Sequence, residues 1–228
     1  MNQSLRLSRF AARTAAAVAA AATLLACGCL SQPYKGQAMF TMAPGTPTAA
    51  AATSKPHPGL LRLTGVGIAP PYSQTQFVYG YANNQMRVDP YAAFVTEPAV
   101  LLGASCIERL QAEHVFDQVV GPAFTTVPGY ELKLSIATLG ATFDDKGAGT
   151  ATVAGRAFLL DPTRNPVSIV AEYGLTTTAP VTADTAEAVA MGLQVAWNEW
   201  LTQLADKLRA QGVPPLTPPK KSSQTTTK

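Results

Sequence analysis

The sequence predicts an α+β fold in a single domain, a largely antiparallel β-sheet with two main helices packed on one face. Three observations lead there. Period-two hydrophobic alternation recurs between Leu60 and Leu175, two stretches switch to the helical period, and both helical stretches carry a single apolar stripe that needs a sheet to cover it. The composition is globular from Leu60 to about Gln211, and about 150 residues is the common size of one domain.

The first strand follows from Leu61, Leu63, Gly65 and Gly67, which alternate with Arg62, Thr64 and Val66 before Pro70-Pro71 ends the run. Gln76 to Tyr81 and Gln85 to Val88 then read as a hairpin around Ala82-Asn83-Asn84, because asparagine tolerates the left-handed turn conformation. Glu131 to Ala137 is the cleanest strand, with Leu132, Leu134 and Ile136 on one face and Glu131, Lys133 and Ser135 on the other. Thr150 to Leu160 and Ser168 to Leu175 follow, joined by a turn over Asp161 to Pro166.

Thr96 is the expected cap of the first helix, with Pro98 in its first turn. Leu102, Cys106 and Leu110, with Ala99, Gly103 and Ile107, form its apolar face. Arg109 and Glu113 fall outside that face as an i,i+4 pair worth at most ~0.5 kcal/mol. The second helix is expected to open at Asp184, with Glu187 in the capping-box position, and to run to about Ala210. Val189, Leu193, Ala196, Trp197, Trp200, Leu204 and Leu208 line its buried side.

The termini have a different character. Arg6, Arg9 and Arg13 form a positive segment, and Thr14 to Ala26 an apolar run too short for the ~20 residues of a spanning helix. Residues 1–26 therefore read as a lipoprotein signal peptide. Leu24-Leu25-Ala26-Cys27 resembles a lipobox and makes Cys27 the expected acylated residue, with Cys29 as the alternative. Such a cysteine carries covalent diacylglycerol and an N-acyl chain, which suffice for stable anchoring without any other cofactor. Neither Gly28 nor Leu30 is the aspartate associated with inner-membrane retention, so the expected location is the periplasmic face of the outer membrane. Residues 27–59 read as the acylated N-terminus and a Pro/Ala/Thr-rich linker with a short strand near 38–42, and residues 212–228 as a disordered Pro/Lys/Thr tail.

Charge and composition exclude several classes. The chain has 17 basic and 14 acidic residues, but three arginines belong to the signal and Lys220, Lys221 and Lys228 to the tail. The body is mildly acidic, with no basic stripe for a nucleic acid. One cysteine, Cys106, lies in the domain, so no disulfide framework is expected, and on an apolar helix stripe it reads as a small core residue. His57 and His114 lie far from any cysteine pair and have no neighbours that would orient a base, so neither a metal site nor a triad is expected. Asp144 and Asp145 could bind a cation or act as acid and base, but their hairpin position suits turn solvation better.

Aromatic residues concentrate between positions 72 and 94. Tyr72, Phe77, Tyr79, Tyr81, Tyr91 and Phe94 are candidate partner-binding residues, because aromatics bury large area at low entropy cost. They serve equally as a core beneath the helices. Val78 and Gly80, on the opposite face of the hairpin, are too small to fill a core alone.

In this order the features resemble the ABC-type transport auxiliary lipoproteins, the PqiC-like family. The resemblance spans residues 24–211 and rests on the lipobox, Val66-Gly67 with Pro71-Tyr72, Phe77-Val78-Tyr79, Asn83-Asn84, Tyr91 and Glu97-Pro98, then ELKLSIATLGATF and a Trp-bearing last helix. Gly80 and Phe94-Val95 depart from the Arg and Arg-Trp that members often carry there. The resemblance implies a non-enzymatic subunit that works with an MCE-type protein and, through it, an ABC permease and ATPase, anchoring or docking a periplasm-spanning lipid shuttle at the outer membrane. It also implies that rings can form, leaving a homo-oligomer open. The alternative reading is a lipid- or lipopolysaccharide-binding lipoprotein of outer-membrane biogenesis, and a tethered periplasmic hydrolase stands behind both.

Overall fold

Residues 36–52, 55–81, 83–125 and 129–211 are described by the computed structural model, so the signal segment, Cys27, Cys29 and the 212–228 tail lie outside the described residues. The strands are β1 (Ala38–Phe40), β2 (His57–Ile68), β3 (Gln76–Tyr81), β4 (Met86–Phe94), β5 (Phe116–Val120), β6 (Tyr130–Phe143), β7 (Gly149–Asp161) and β8 (Ser168–Val181). Among the described residues two α-helices accompany them, α1 (Pro98–Ala112) and α2 (Ala186–Ala210).

β6 organises the sheet because three strands share it. β7 runs antiparallel along its length, while β2 pairs with residues 130–136 and β3 with residues 141–143. β8 extends the sheet beyond β7, β5 lies outside β2, and β4 and β1 lie outside β3. The α+β class and its two helices are as expected, and antiparallel ladders supply most of the paired residues. The sheet is nonetheless mixed, since β2 and β3 run parallel to β6, β5 parallel to β2, and β1 parallel to β4. Alternation marks a half-buried strand but carries no information on the direction of its partner.

β6 is twice as long as its sequence pattern suggests. Leu132, Leu134 and Ile136 carry the buried face first, then Leu139, Ala141 and Phe143 carry it, with a register shift between Ile136 and Thr138. One extra residue at a bulge moves the alternation by one position. A pattern read without the bulge stops at Ala137.

Both helix starts also differ by a residue. The N-cap of α1 is Glu97, which makes no side-chain capping bond, not Thr96. At α2 the Thr185 hydroxyl, not Asp184, accepts the amide of Ala188 at 3.2 Å. Three neighbouring residues, Thr182, Asp184 and Thr185, have capping chemistry, and only the local backbone decides among them.

α2 buries Val189, Leu193, Ala196, Trp197, Trp200, Leu201, Leu204 and Leu208 against β6, β7 and β8. A Cβ on Gly192 would lie 3.0 Å from the Ala151 Cβ and 3.1 Å from Val181 Cγ2, so this glycine sets how closely helix and sheet approach. Trp197 and Trp200 stack with centroids 5.1 Å apart, and each stabilises the core by roughly 5 kcal/mol before entropy is counted. Their indole N–H groups are satisfied, Trp197 donating to Ser105 Oγ at 2.8 Å and Trp200 to the Leu175 carbonyl at 3.3 Å.

β1 falls where a short strand is expected near 38–42, but the run after it packs on the body rather than forming a free tether. β1 extends the sheet at β4, Met42 and Ala51 are buried, and a 3-10 turn at Ala49–Ala52 follows. His57, read as part of the linker, opens β2, packs its ring 5.3 Å from Phe116 and shares a 2.9 Å hydrogen bond with the Leu208 carbonyl. Pro, Ala and Thr content suggests a tether, but the polar side chains that hold this segment belong to the two helices, far away in sequence.

Candidate docking and anchoring surfaces

The six aromatic candidates divide into core and surface. Phe77 and Phe94 are buried and join Phe40 of β1, with centroids 5.1 Å apart for Phe40 and Phe77 and 4.7 Å for Phe77 and Phe94. Neither is available to a partner, which corrects that part of the expectation. Tyr79 and Tyr81 are half-buried and both pack on Phe143, with centroids 6.0 and 6.2 Å away. Tyr79 donates to Asp89 Oδ2 at 2.7 Å, and burial together with that carboxylate drives its pKa far up. Arg87 lies 5.1 Å over the Tyr81 ring. Tyr72 is half-buried and covers Gly140, whose missing Cβ leaves room for the ring. Tyr91 alone is broadly exposed, at 53%.

The other predicted residues have structural places. Cys106 is buried in the core, where desolvation pushes its thiol up to about 12. Asp144 Oδ1 accepts the amides of Lys146 at 2.9 Å and Ala148 at 2.8 Å, which closes the β6–β7 hairpin. His114 occupies a left-handed conformation, φ 50°, just after α1. Among the described residues no group of three or more His, Cys, Asp and Glu could hold a metal ion, and no helix is long and apolar enough to cross a membrane.

Sequence reasoning missed the most elaborate polar cluster. Arg109 and Glu113, expected on the solvated side of α1, are 3% and 0% exposed. Arg109 Nε donates to Glu113 Oε1 at 2.8 Å, its two terminal nitrogens donating to the Pro44 carbonyl at 3.1 Å and to Thr202 Oγ1 at 2.8 Å. Thr48 donates its amide and hydroxyl to the two Glu113 oxygens at 2.8 and 2.7 Å. Arg209, near the end of α2, donates to Glu113 Oε2 and, at 3.0 Å, to the Glu113 carbonyl. Burial alone would raise the Glu113 pKa, but the bonds from Thr48 and the two arginines outweigh it and hold the carboxyl below its ordinary value.

Further along, the same segment is clasped by α2. The Gln194 carboxamide accepts the Ala43 amide and donates to the Ala43 carbonyl, both at 2.7 Å, as a neighbouring strand would. Gly45 has φ 68°, and a Cβ there would lie 2.7 Å from Asn198 Cγ. Residues 37–52 thus form a strap across both helices. A groove of about 490 Å³ lies between Phe40, Thr41 and the Glu187 to Val195 side of α2. Another of about 430 Å³ continues past Val195, between Thr46–Thr48 and Asn198, Glu199 and Thr202.

These features define an α+β module whose accessible chemistry lies in grooves and half-buried tyrosines. The chain belongs to the family described as the ABC-type transport auxiliary lipoprotein component, whose sequence profile matches residues 40–205. The match takes in most of the strap. Among solved structures the fold is similar to protein XCC0632 from Xanthomonas campestris, at 17% identity and a TM-score of 0.63 over 76% of this chain and 94% of that one. An uncharacterized protein is similar at 10% identity and a TM-score of 0.58, over 76% and 99% of the two chains. No curated protein matches the sequence.

Proposed function

We propose that this chain is the outer-membrane lipoprotein of an ABC/MCE-type transport system, held by an acyl chain on Cys27 and docking the protein that conducts hydrophobic molecules across the periplasm. Membership of the transport auxiliary lipoprotein family carries the reading. The lipobox ending at Cys27, the mildly acidic body and the grooves beside the strap support it.

The docked strap sharpens the mechanics of this proposal. A linker running to position 59 would leave the domain free to roam. With residues from Ala38 onward packed on the body, the eleven steps from Cys27 to Ala38 span at most ~40 Å. The body would then work at short range from the membrane, and a pull on the anchor would reach the strap directly. ATP hydrolysis belongs to another subunit in this scheme.

Membrane crosslinking followed by purification of the full chain is the test. Recovery of an MCE protein with its permease and ATPase is the expected result. Native mass spectra with bound lipid and no MCE partner would move the assignment to the biogenesis reading. Cys27→Ser is expected to block palmitate incorporation while Cys29→Ser leaves it intact, and the reverse result would shift the mature N-terminus by two residues.

A further inference from the structure

α2 is buried along one side, yet Met191 and Val195, one turn apart on its other side, are 63% and 58% exposed. They line the two grooves beside the strap, and Val195 borders both. Phe40 and Ala190 add apolar wall to the first groove. From Glu187 to Thr202 the grooves follow about 22 Å of helix. That length accommodates about seven residues of extended chain or four turns of helix.

Among the described residues the charges that line the grooves without an ion-pair partner are acidic. Glu187 lines the first groove and Glu199 the second, and neither forms an ion pair with any described residue. Arg109 is the sole cation among the lining residues, and Glu113, Pro44 and Thr202 already engage its donors. A bilayer bearing anionic lipid would be repelled by such a rim, and a second copy related by a two-fold axis would bring the same acidic rim to meet it. An apolar centre with an acidic border calls for an apolar segment flanked by Lys or Arg.

We infer that the strap–α2 trench is the docking site for an apolar, basic-flanked segment of the transport partner, with Met191 and Val195 as the apolar contacts and Glu187 and Glu199 selecting the flanking charges. This rests on the docking reading proposed above. The strap forms one wall of the trench, so the Glu113 cluster that holds the strap also shapes the site.

Site-specific photocrosslinking on the full-length protein in cells tests it. A photoreactive residue replaces Met191 or Val195 in the trench, Val88 on the hairpin, or Val100 on α1, and adducts are mapped by mass spectrometry. Adducts with the MCE protein are expected from positions 191 and 195 alone, on a peptide with apolar residues beside Lys or Arg. The pair Glu187→Lys and Glu199→Lys should lower the yield about tenfold, the effect of turning two exposed attractions into repulsions, while the domain still unfolds in one transition at a slightly lower temperature, because Glu187 sits in the first turn of α2. MCE adducts from position 88 or 100 but not from the trench overturn this inference and leave the docking function standing. MCE adducts from none of the four positions, with no MCE protein recovered by general crosslinking, overturn both. Trench adducts with lipid or with a second copy, or a charge reversal without effect, overturn the inference as well.

Discussion

The strap and helix α2 lie against the same body but are held by opposite means. α2 presents Val189, Leu193, Trp197, Trp200 and Leu204 to the sheet, with a hydrogen bond from each indole. The strap presents little beyond Phe40, Met42 and Ala51 and is fixed by Glu113, Arg109 and Gln194, with Arg209 bonded to Glu113 behind it. Apolar burial is undirected and tolerates small adjustments, whereas a buried ion cluster returns little net stability and fails sharply when one member is lost. The helix is therefore the stable foundation. The strap is a latch with a defined register and a defined weak point.

The comparison breaks first at its strong side. Trp197→Ala should destabilise the whole domain by about 3–5 kcal/mol, since it opens a large cavity and removes the donor to Ser105. Urea unfolding should remain a single transition at lower denaturant. If only part of the signal moves, α2 and the sheet are not one cooperative unit.

At the weak side, Glu113→Gln should cost about 3 kcal/mol, the lower end for taking one partner from a buried ion pair. Hydrogen exchange should show residues 41–48 losing protection while β6 and β7 keep theirs. Equal loss in both regions would mean that strap and body open together.

Acid does the same work reversibly. The folded Glu113 pKa lies below its ordinary 4.5, so the stability it contributes is complete above about that pH and is lost as pH falls through the lowered value. Asp161, held down mainly by the Thr163 hydroxyl, adds a second acid-sensitive contribution at the β7–β8 turn. Strap protection should fall in strong acid for the native chain, and Glu113→Gln should show no such acid step at the strap. An unchanged profile in the variant would point to another carboxylate.

Gly45→Ala should cost about 1–2 kcal/mol, because a side chain at this positive φ is strained and its Cβ meets Asn198. The smallest effect sharpens the contrast without perturbing it. In a chain with Cys27 and Cys29 both replaced by Ser, Cys106 alkylation should be negligible in the folded state and track global opening, because the thiol is buried and its pKa is pushed up to about 12. Fast labelling under native conditions would show that the core beneath α1 opens locally.

Much of the body is legible in the sequence. Leu132, Leu134 and Ile136 stand on one face because strand side chains alternate, and Trp197, Trp200 and Leu204 because a helix repeats every 3.6 residues. Those periods are local properties of the chain. The features that escaped are those where a period was interrupted or a side chain met something distant. The bulge after Ile136 hid half of β6. Phe77 and Phe94 could be core or interface until Phe40 was found packed on Phe77.

By itself the sequence determined the α+β class, the apolar faces and the family pattern, because each is written in neighbouring residues or fixed periods. Tertiary structure alone decided that residues 37–52 form a strap, and that Arg109 and Glu113 are buried. An isolated α1 would leave that pair in water. They are covered because Thr48 and Arg209 converge on the Glu113 carboxylate while Thr202 and the Pro44 carbonyl accept from Arg109, partners up to 96 positions away, and such convergence has no local signature.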